Sequence, residues 1–199
     1  MSRNEANSGL LKRIFDISFS GVMLVALSPV FLVISAGIKL TSKGDIIYRQ
    51  KRLGKNKVPF TMYKFRTMIK NAEEHGPQLA VKGDLRITGF GRILRKYHFD
   101  ELTQFWNVFK GDMSVVGPRP EREFFANEIE KVSPDYVKIF DMKPGLTSLG
   151  MVKYGYASDV KGMVDRAVFD IGYVENNSTL TDAKIIVQTI KTVLKGKGI

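Results

Sequence analysis

Twenty-two consecutive residues without a charge separate Asp16 from Lys39, and Ser28-Pro29 interrupts them near the middle. At ~1.5 Å rise per residue, ~20 apolar residues match the ~30 Å hydrocarbon core of a bilayer, so the stretch is long enough to cross one. Its flanks argue against a plain crossing. Arg3, Lys12 and Arg13 precede it, and Lys39 and Lys43 follow it, whereas Lys and Arg beside a membrane segment stay on the cytoplasmic side. A straight span would put one basic flank on the wrong side. Pro29 offers the way out: it cannot donate to the carbonyl of Val25 and it crowds the preceding turn, so a helix bends there. Ser28 brings a hydroxyl for part of the backbone that lipid leaves without partners. Residues 10–40 are therefore expected to form a re-entrant helix that enters one leaflet, bends at Ser28-Pro29 and returns to the same face, as in a monotopic membrane protein. A straight single span and a buried core helix are the alternatives. A secretory signal peptide fits less well, since Pro29-Val30-Phe31 gives no small-residue cleavage site.

Charge points to anions at a membrane surface. Lys and Arg number 31 against 20 Asp and Glu, a net of +11. Residues 39–70 hold ten basic residues and one acid, Asp45, so the positive charge gathers just after the apolar stretch. Such a patch suits anionic head groups, polyphosphates or nucleic acid. With no cysteine, disulfides, thiolate zinc sites and a Cys nucleophile are excluded. Two histidines, His75 and His98, are too few and too far apart for a His-based metal site. The chain beyond the apolar stretch is long enough for one core and shows no second domain.

Along the remainder, Asp45–Gln50 and Val58–Met68 read as strands joined by the turn Arg52-Leu53-Gly54-Lys55-Asn56. Alternation in the second sets Met62, Lys64 and Arg66 on one face and Tyr63, Phe65 and Thr67 on the other. Residues 69–81 read as a short polar helix ended near Gly76-Pro77. A further helix, Gly89 to Tyr97, aligns Arg92, Arg95 and Lys96 on one face. Asp100-Glu101 then opens a helix, Leu102 to Lys110, that stops at Gly111. Asp and Glu are ordinary helix-starting residues, yet a helix N-terminus also attracts anions and would keep Asp100 ionised beside a bound phosphate. Arg119 stands between Pro118 and Pro120, which stiffen the backbone on either side. A loop that stiff aims a guanidinium at low entropic cost, and its planar fork suits phosphate oxygens.

Five segments in order make a pattern. They are the basic-flanked Ser-Pro segment; Tyr63-Lys64-Phe65-Arg66-Thr67-Met68; Asp100-Glu101-Leu102-Thr103-Gln104; Gly111-Asp112-Met113-Ser114 running into Gly117-Pro118-Arg119-Pro120; and Lys143-Pro144-Gly145-Leu146-Thr147-Ser148, with Asp170 through Tyr173-Val174-Glu175-Asn176 after it. Together they resemble the bacterial sugar transferases known as monotopic phosphoglycosyl transferases, in their short form, over residues 10–195. The resemblance implies an enzyme that moves a sugar-1-phosphate from a UDP-sugar to polyprenyl (undecaprenyl) phosphate, releasing UMP and starting a surface glycan that downstream glycosyltransferases extend. It implies Asp100 as the nucleophile that becomes a phosphosugar acyl phosphate, Glu101 as a Mg²⁺ ligand, Arg119 as a phosphate binder, and Lys64 and Arg66 as the wall of an anion pocket. Ser28 and Pro29 would shape the bend that brings the catalytic face to the lipid head groups. Two positions depart from the pattern. Thr103 stands where the family usually has proline, and Lys153-Tyr154-Gly155-Tyr156 where many members have Gly-Arg; there Tyr154 or Tyr156 is a candidate to stack on a base.

The C-terminal helix, Thr181 to Leu194, sets Lys184, Gln188, Lys191 and Lys195 in one stripe opposite Ile185, Ile186, Ile190, Val193 and Leu194, as either a cap over the core or a contact with anionic lipid. The expected fold is α/β (α+β), mostly helical with a small sheet, with residues 1–199 as one sugar-transferase domain: the 10–40 re-entrant helix and a 41–199 catalytic part on the cytoplasmic face of the bacterial inner membrane. A basic, membrane-tethered nucleic-acid-binding protein is the alternative, from the basic and aromatic residues interleaved in Tyr63–Met68. Nothing in that alternative explains Asp100-Glu101 beside Arg119, so no nucleic acid is expected as a partner.

Overall fold

The computed structural model of the chain describes residues 3–74, 76–81 and 83–196, with side chains from Gly9 onward; His75 and the Arg3 side chain fall outside the described residues. Helices α1 (Arg3–Ala26) and α2 (Ser28–Thr41) meet at Leu27 and are bent by 59°. Proline in the first turn of α2 leaves the Val25 carbonyl without its helical donor, and the Ser28 hydroxyl donates to that carbonyl at 2.8 Å. The expected bend is there, with the expected serine satisfying the freed group. Val22, Val25, Leu32 and Val33 face outward around it, each more than 60 % exposed. No single helix among the described residues is long and apolar enough to cross a membrane, but the bent pair qualifies together on length and composition.

The pair is hydrogen-bonded to the rest of the molecule. The buried Asp16 carboxylate accepts from the Ser114 hydroxyl (3.1 Å) and the Val115 N–H (2.9 Å). Arg13 donates to the carbonyls of Val108 and Phe109 at 2.7 and 2.9 Å, in the last turn of helix α4 (Phe105–Lys110), where the usual i→i+4 donors run out and the Gly111 N–H reaches back to Val108 instead. Ile34 and Ile38 on α2 pack with Phe65 and Leu94.

Two small sheets stand in place of one. Strands β1 (Ile47–Leu53) and β2 (Pro59–Phe65) form an antiparallel hairpin with Tyr48 opposite Lys64 and Gln50 opposite Met62. Strands β3 (Ser114–Val116) and β4 (Gly145–Thr147) pair in parallel. Their ends approach so closely that a Cβ on Gly117 would collide with the Lys143 carbonyl oxygen, and one on Gly145 with the Gly117 backbone. That is why glycine stands at Gly117-Pro118 and at Pro144-Gly145. Gly145 N–H donates to the Pro118 carbonyl (2.9 Å), which fixes the residue just before Arg119.

Helix α3 (Gly89–Lys96) forms as expected, and its Thr88 hydroxyl caps the Gly91 N–H. The expected polar helix over 69–81 does not form. Lys70–Glu74 is a turn in which Asn71 takes φ 63°, and Ile69 N–H pairs with the Arg86 carbonyl. The segment has no apolar stripe to bury, and an isolated short helix lacks the packing that would hold it. Helices α5 (Glu123–Val132), α6 (Leu149–Lys153), α7 (Val160–Glu175) and α8 (Thr179–Leu194) follow. Phe125, Ile129, Tyr136, Met163 and Ala167 bury one core between α5, the 3-10 segment Pro134–Asp141 and α7. Met62, Val108, Met113, Val116, Tyr173 and Ile185 bury another under α8. Ile185 thus faces inward as expected, whereas Ile190 and Leu194 of the expected apolar side are exposed.

Candidate active site

Asp100 does not cap a helix. The chain at His98 adopts the left-handed conformation (φ 57°) and then winds as a 3-10 segment, Phe99–Gln104, before α4 begins at Phe105. Glu101 N–H bonds back to the His98 carbonyl in the tighter i→i+3 pattern. The acids are therefore presented on a tight turn, and neither is spent on capping. That turn is stitched to strand β2. The Thr103 hydroxyl donates to the Tyr63 carbonyl (2.9 Å), and the fully buried Asn107 amide accepts from Tyr63 N–H (3.1 Å) while donating to the Thr61 carbonyl (2.7 Å). Thr103, where the family's proline would stand, makes a tertiary hydrogen bond that proline cannot.

This stitching sets Lys64 against the acids: its Nζ lies 2.6 Å from Glu101 Oε1. Asp100 is buried. Arg119 reaches the same place from the segment after β3. Its backbone N–H donates to Asp170 Oδ2 (3.1 Å), while Asp170 Oδ1 accepts from Gly150 N–H (2.7 Å). Lys64, Asp100, Glu101 and Arg119 line one cavity of about 1270 Å³, with Arg52, Arg95, Tyr156 and Arg166 also in its wall. Of the three basic residues expected along one face of α3, Arg95 turns inward, its Nε donating to Thr67 Oγ1 at 2.8 Å.

Arg66 also lines the cavity, but its two terminal nitrogens are engaged elsewhere. They bond the Lys43 carbonyl (2.9 Å) and the Ser42 carbonyl and hydroxyl (3.0 and 2.9 Å), closing the chain that leaves α2. Ser28 and Pro29 sit at the helix bend and take no part in the cavity wall.

The two acids are driven apart electrostatically. Burial pushes the Asp100 carboxyl above its usual range, with Glu101 adding to the shift and Lys64 opposing it. Burial acts on Glu101 in the same sense, but Lys64 and then Arg119 outweigh it and hold Glu101 down at about 2. Burial works to lower Arg119, yet Glu101, Tyr156, Glu121 and Asp170 together raise it. The site therefore holds one firmly ionised carboxylate beside a second that is costly to ionise, faced by fixed cations. Among the described residues no group of three or more His, Asp or Glu side chains surrounds the acids as a metal cage. This donor set fits Mg²⁺ only in its usual sparse mode, with one or two carboxylates and the remaining positions filled by water and substrate phosphate.

Beneath Arg119 lies a charge network that sequence spacing gave no means of assembling. Glu121 Oε1 accepts from Arg166 at 2.6 Å and Oε2 from Arg52 at 3.1 Å, all three being largely buried. Arg52 sits on β1, Glu121 after the Pro-Arg-Pro segment and Arg166 on α7. Tyr156, a candidate for base stacking, is itself stacked by the His98 ring and carries Arg119 over its face. Tyr154 lies half exposed, its hydroxyl close to where a side chain on Gly162 would project.

The sequence profile of the family described as bacterial sugar transferase matches residues 7–196. The chain is 39% identical over 188 residues to the UDP-N-acetylgalactosamine-undecaprenyl-phosphate N-acetylgalactosaminephosphotransferase of Aeromonas hydrophila, covering 94% of this chain and 44% of that protein. It is 37% identical over 183 residues to the UDP-glucose:undecaprenyl-phosphate glucose-1-phosphate transferase of Klebsiella pneumoniae, covering 91% and 39%. It is 35% identical over 205 residues to the exopolysaccharide production protein ExoY of Sinorhizobium fredii, covering 96% and 88%. The chain spans less than half the length of the first two relatives and most of the third.

Proposed function

Because the chain belongs to the bacterial sugar transferase family, we propose that it transfers a sugar-1-phosphate from a UDP-sugar to undecaprenyl phosphate, as a monotopic phosphoglycosyl transferase of the cytoplasmic membrane. The observation that carries this reading is the cavity wall in which Asp100 and Glu101 stand with Lys64 and Arg119. An ionised Asp100 oxygen attacks the β-phosphorus, the bond from that phosphorus to the bridging oxygen breaks, and UMP leaves with the electron pair. An oxygen of undecaprenyl phosphate then attacks the same phosphorus, restoring the carboxylate and yielding the lipid diphosphate sugar. Dividing one displacement into two is the benefit of covalent catalysis, and most of the remaining work is positioning and charge neutralisation. Arg119 and Lys64 supply fixed positive charge on the cavity wall. Glu101, with substrate phosphates, would hold Mg²⁺, which supplies further neutralisation of the diphosphate.

The direct test is UMP release from a panel of UDP-sugars, with and without undecaprenyl phosphate; no UMP from any of them would end this reading. Glu101→Gln should lower turnover by about 10²-fold or more, since it removes a charged ligand that Mg²⁺ prefers and frees Lys64 from its partner. EDTA should abolish turnover in the unmodified enzyme, and an unchanged rate in EDTA would remove the metal from the mechanism.

Residues 10–40 are proposed to re-enter, with the catalytic part on the cytoplasmic side. The bend, its exposed apolar surface and the basic residues at both ends support this topology. Single cysteines placed near residues 5 and 44 should both react only with a cytoplasmic-side reagent. Labelling from opposite sides would favour a span, and Pro29→Ala should shift the population toward one.

A further inference from the structure

We propose that His98 and Tyr156 form a positioning pair that aims the Arg119 guanidinium at the donor diphosphate. The inference rests on the phosphotransferase reading and names two residues that the reaction scheme leaves idle.

Arg119 is held weakly by carboxylates. Its Nε is 3.8 Å from Glu121 Oε1, whereas the short bonds of Glu121 go to Arg166 and Arg52 at 2.6 and 3.1 Å. What lies against the guanidinium is the Tyr156 ring, its centroid 5.4 Å from Arg119 Cζ. This mode of holding matters. An aromatic face attracts the cation through its plane and leaves the in-plane N–H fork free for phosphate oxygens, whereas a bidentate carboxylate would occupy the fork.

Tyr156 needs an anchor of its own. It follows Gly155, at φ 93°, in a stretch of irregular backbone between α6 and α7. His98 provides the anchor: the two rings stack with centroids 5.8 Å apart and planes 15° apart, and His98 Nδ1 is 3.1 Å from the Tyr156 hydroxyl. Either atom donates, according to the tautomer. His98 also begins the 3-10 turn that presents Asp100 and Glu101. One residue thus references the phosphate-binding arginine and the two acids to the same frame, across 58 positions of sequence. The Tyr156 hydroxyl stays protonated, because burial and then Glu101 push its pKa well up while Arg119 opposes them. It is a neutral strut between charged groups.

The test uses the full chain in detergent or nanodiscs with a UDP-sugar that supports UMP release. Tyr156→Leu removes the ring face and should lower kcat by about 10-fold or more, with a smaller rise in donor KM. Tyr156→Phe keeps the face and should retain most of the activity. His98→Asn keeps a residue that tolerates the left-handed backbone and should fall between the two. In an Arg119→Ala background, Tyr156→Leu should cost nothing further, because the residue it aims is gone. Independent losses that multiply in the double variant would overturn the proposal, as would a Tyr156→Leu effect confined to donor KM, which would instead make Tyr156 a base-stacking residue. Stabilisation of the protein by UDP alone gives a readout free of turnover. It should shrink in Tyr156→Leu by no more than in Arg119→Ala, and the double variant should match Arg119→Ala; a further loss in the double variant would also overturn the pair. If no UDP-sugar yields UMP yet this pattern holds, the transferase reading falls while the positioning pair stands.

Discussion

Asp100→Asn should eliminate turnover, by at least about four orders of magnitude, and should do so in a protein that is more stable than the original. The nucleophilic role proposed for Asp100 is the reason for the first effect and burial for the second. Burial raises the Asp100 pKa in the folded state, so its stabilising share is present below the ordinary carboxylate pKa and is lost as pH rises through the raised value. At neutral pH the ionised side chain is a cost that asparagine removes. The melting temperature should therefore rise at neutral pH. Activity has the opposite sign: in the proposed mechanism only the carboxylate attacks, so the rate should climb with pH through the raised Asp100 value. In the unmodified enzyme, UMP should appear as a stoichiometric burst without undecaprenyl phosphate, and the protein should gain the mass of one phosphosugar. If the Asp100→Asn protein still gains that mass, or UMP forms only when the lipid is present, Asp100 is not the nucleophile and a direct single displacement becomes the better account.

The largest effect on stability should come from Glu121→Ala. Arg52 and Arg166 would then share a largely buried place without a carboxylate in ion-pair contact with them, and removing one partner of a buried ion pair costs about 3–5 kcal/mol. A fall in melting temperature on the order of 10 °C is expected. Glu121→Gln should lose less, because its amide oxygen still accepts one hydrogen bond. Inorganic phosphate should recover part of the Glu121→Ala loss by seating an anion among the arginines, and thermal melts with and without phosphate measure both effects. A melting temperature unchanged by Glu121→Ala would mean that the network contributes nothing to the fold.

Legibility in the sequence followed the range of the causes. The bend at Ser28-Pro29 was readable because its cause is one missing N–H and one nearby hydroxyl, both within four residues. Asp100, Glu101 and Arg119, which meet at one cavity, could be singled out because they lie in short, unusual strings. The local backbone was read less well. A 3-10 turn replaced the expected helix start at Asp100 because His98 takes a left-handed conformation and Thr103 and Asn107 tie the segment to β2, contacts 40 or more positions apart. The polar segment 69–81 had helix-compatible residues but no apolar stripe at helical spacing, and Leu79 packs on the core from a non-helical stretch instead. Arg66 alternates with Lys64 in the sequence, yet past the end of β2 it turns to the chain leaving α2. Glu121, Arg52 and Arg166 were invisible for a simpler reason: their meeting depends on how β1, α7 and the Pro-Arg-Pro segment come together, which no spacing encodes.

Asp16 looked like the last charge before an apolar stretch, a boundary marker. Its carboxylate instead satisfies the Ser114 hydroxyl and the Val115 N–H inside the protein. A generic apolar helix grafted in place of α1 would leave both donors buried and unsatisfied, at about 1–3 kcal/mol each. Anchors of equal length and hydrophobicity are therefore not interchangeable here. The helix proposed to meet the lipid also satisfies the strand leading to Arg119, and exchange of that helix is an edit to the body that holds the candidate site rather than a change of mooring.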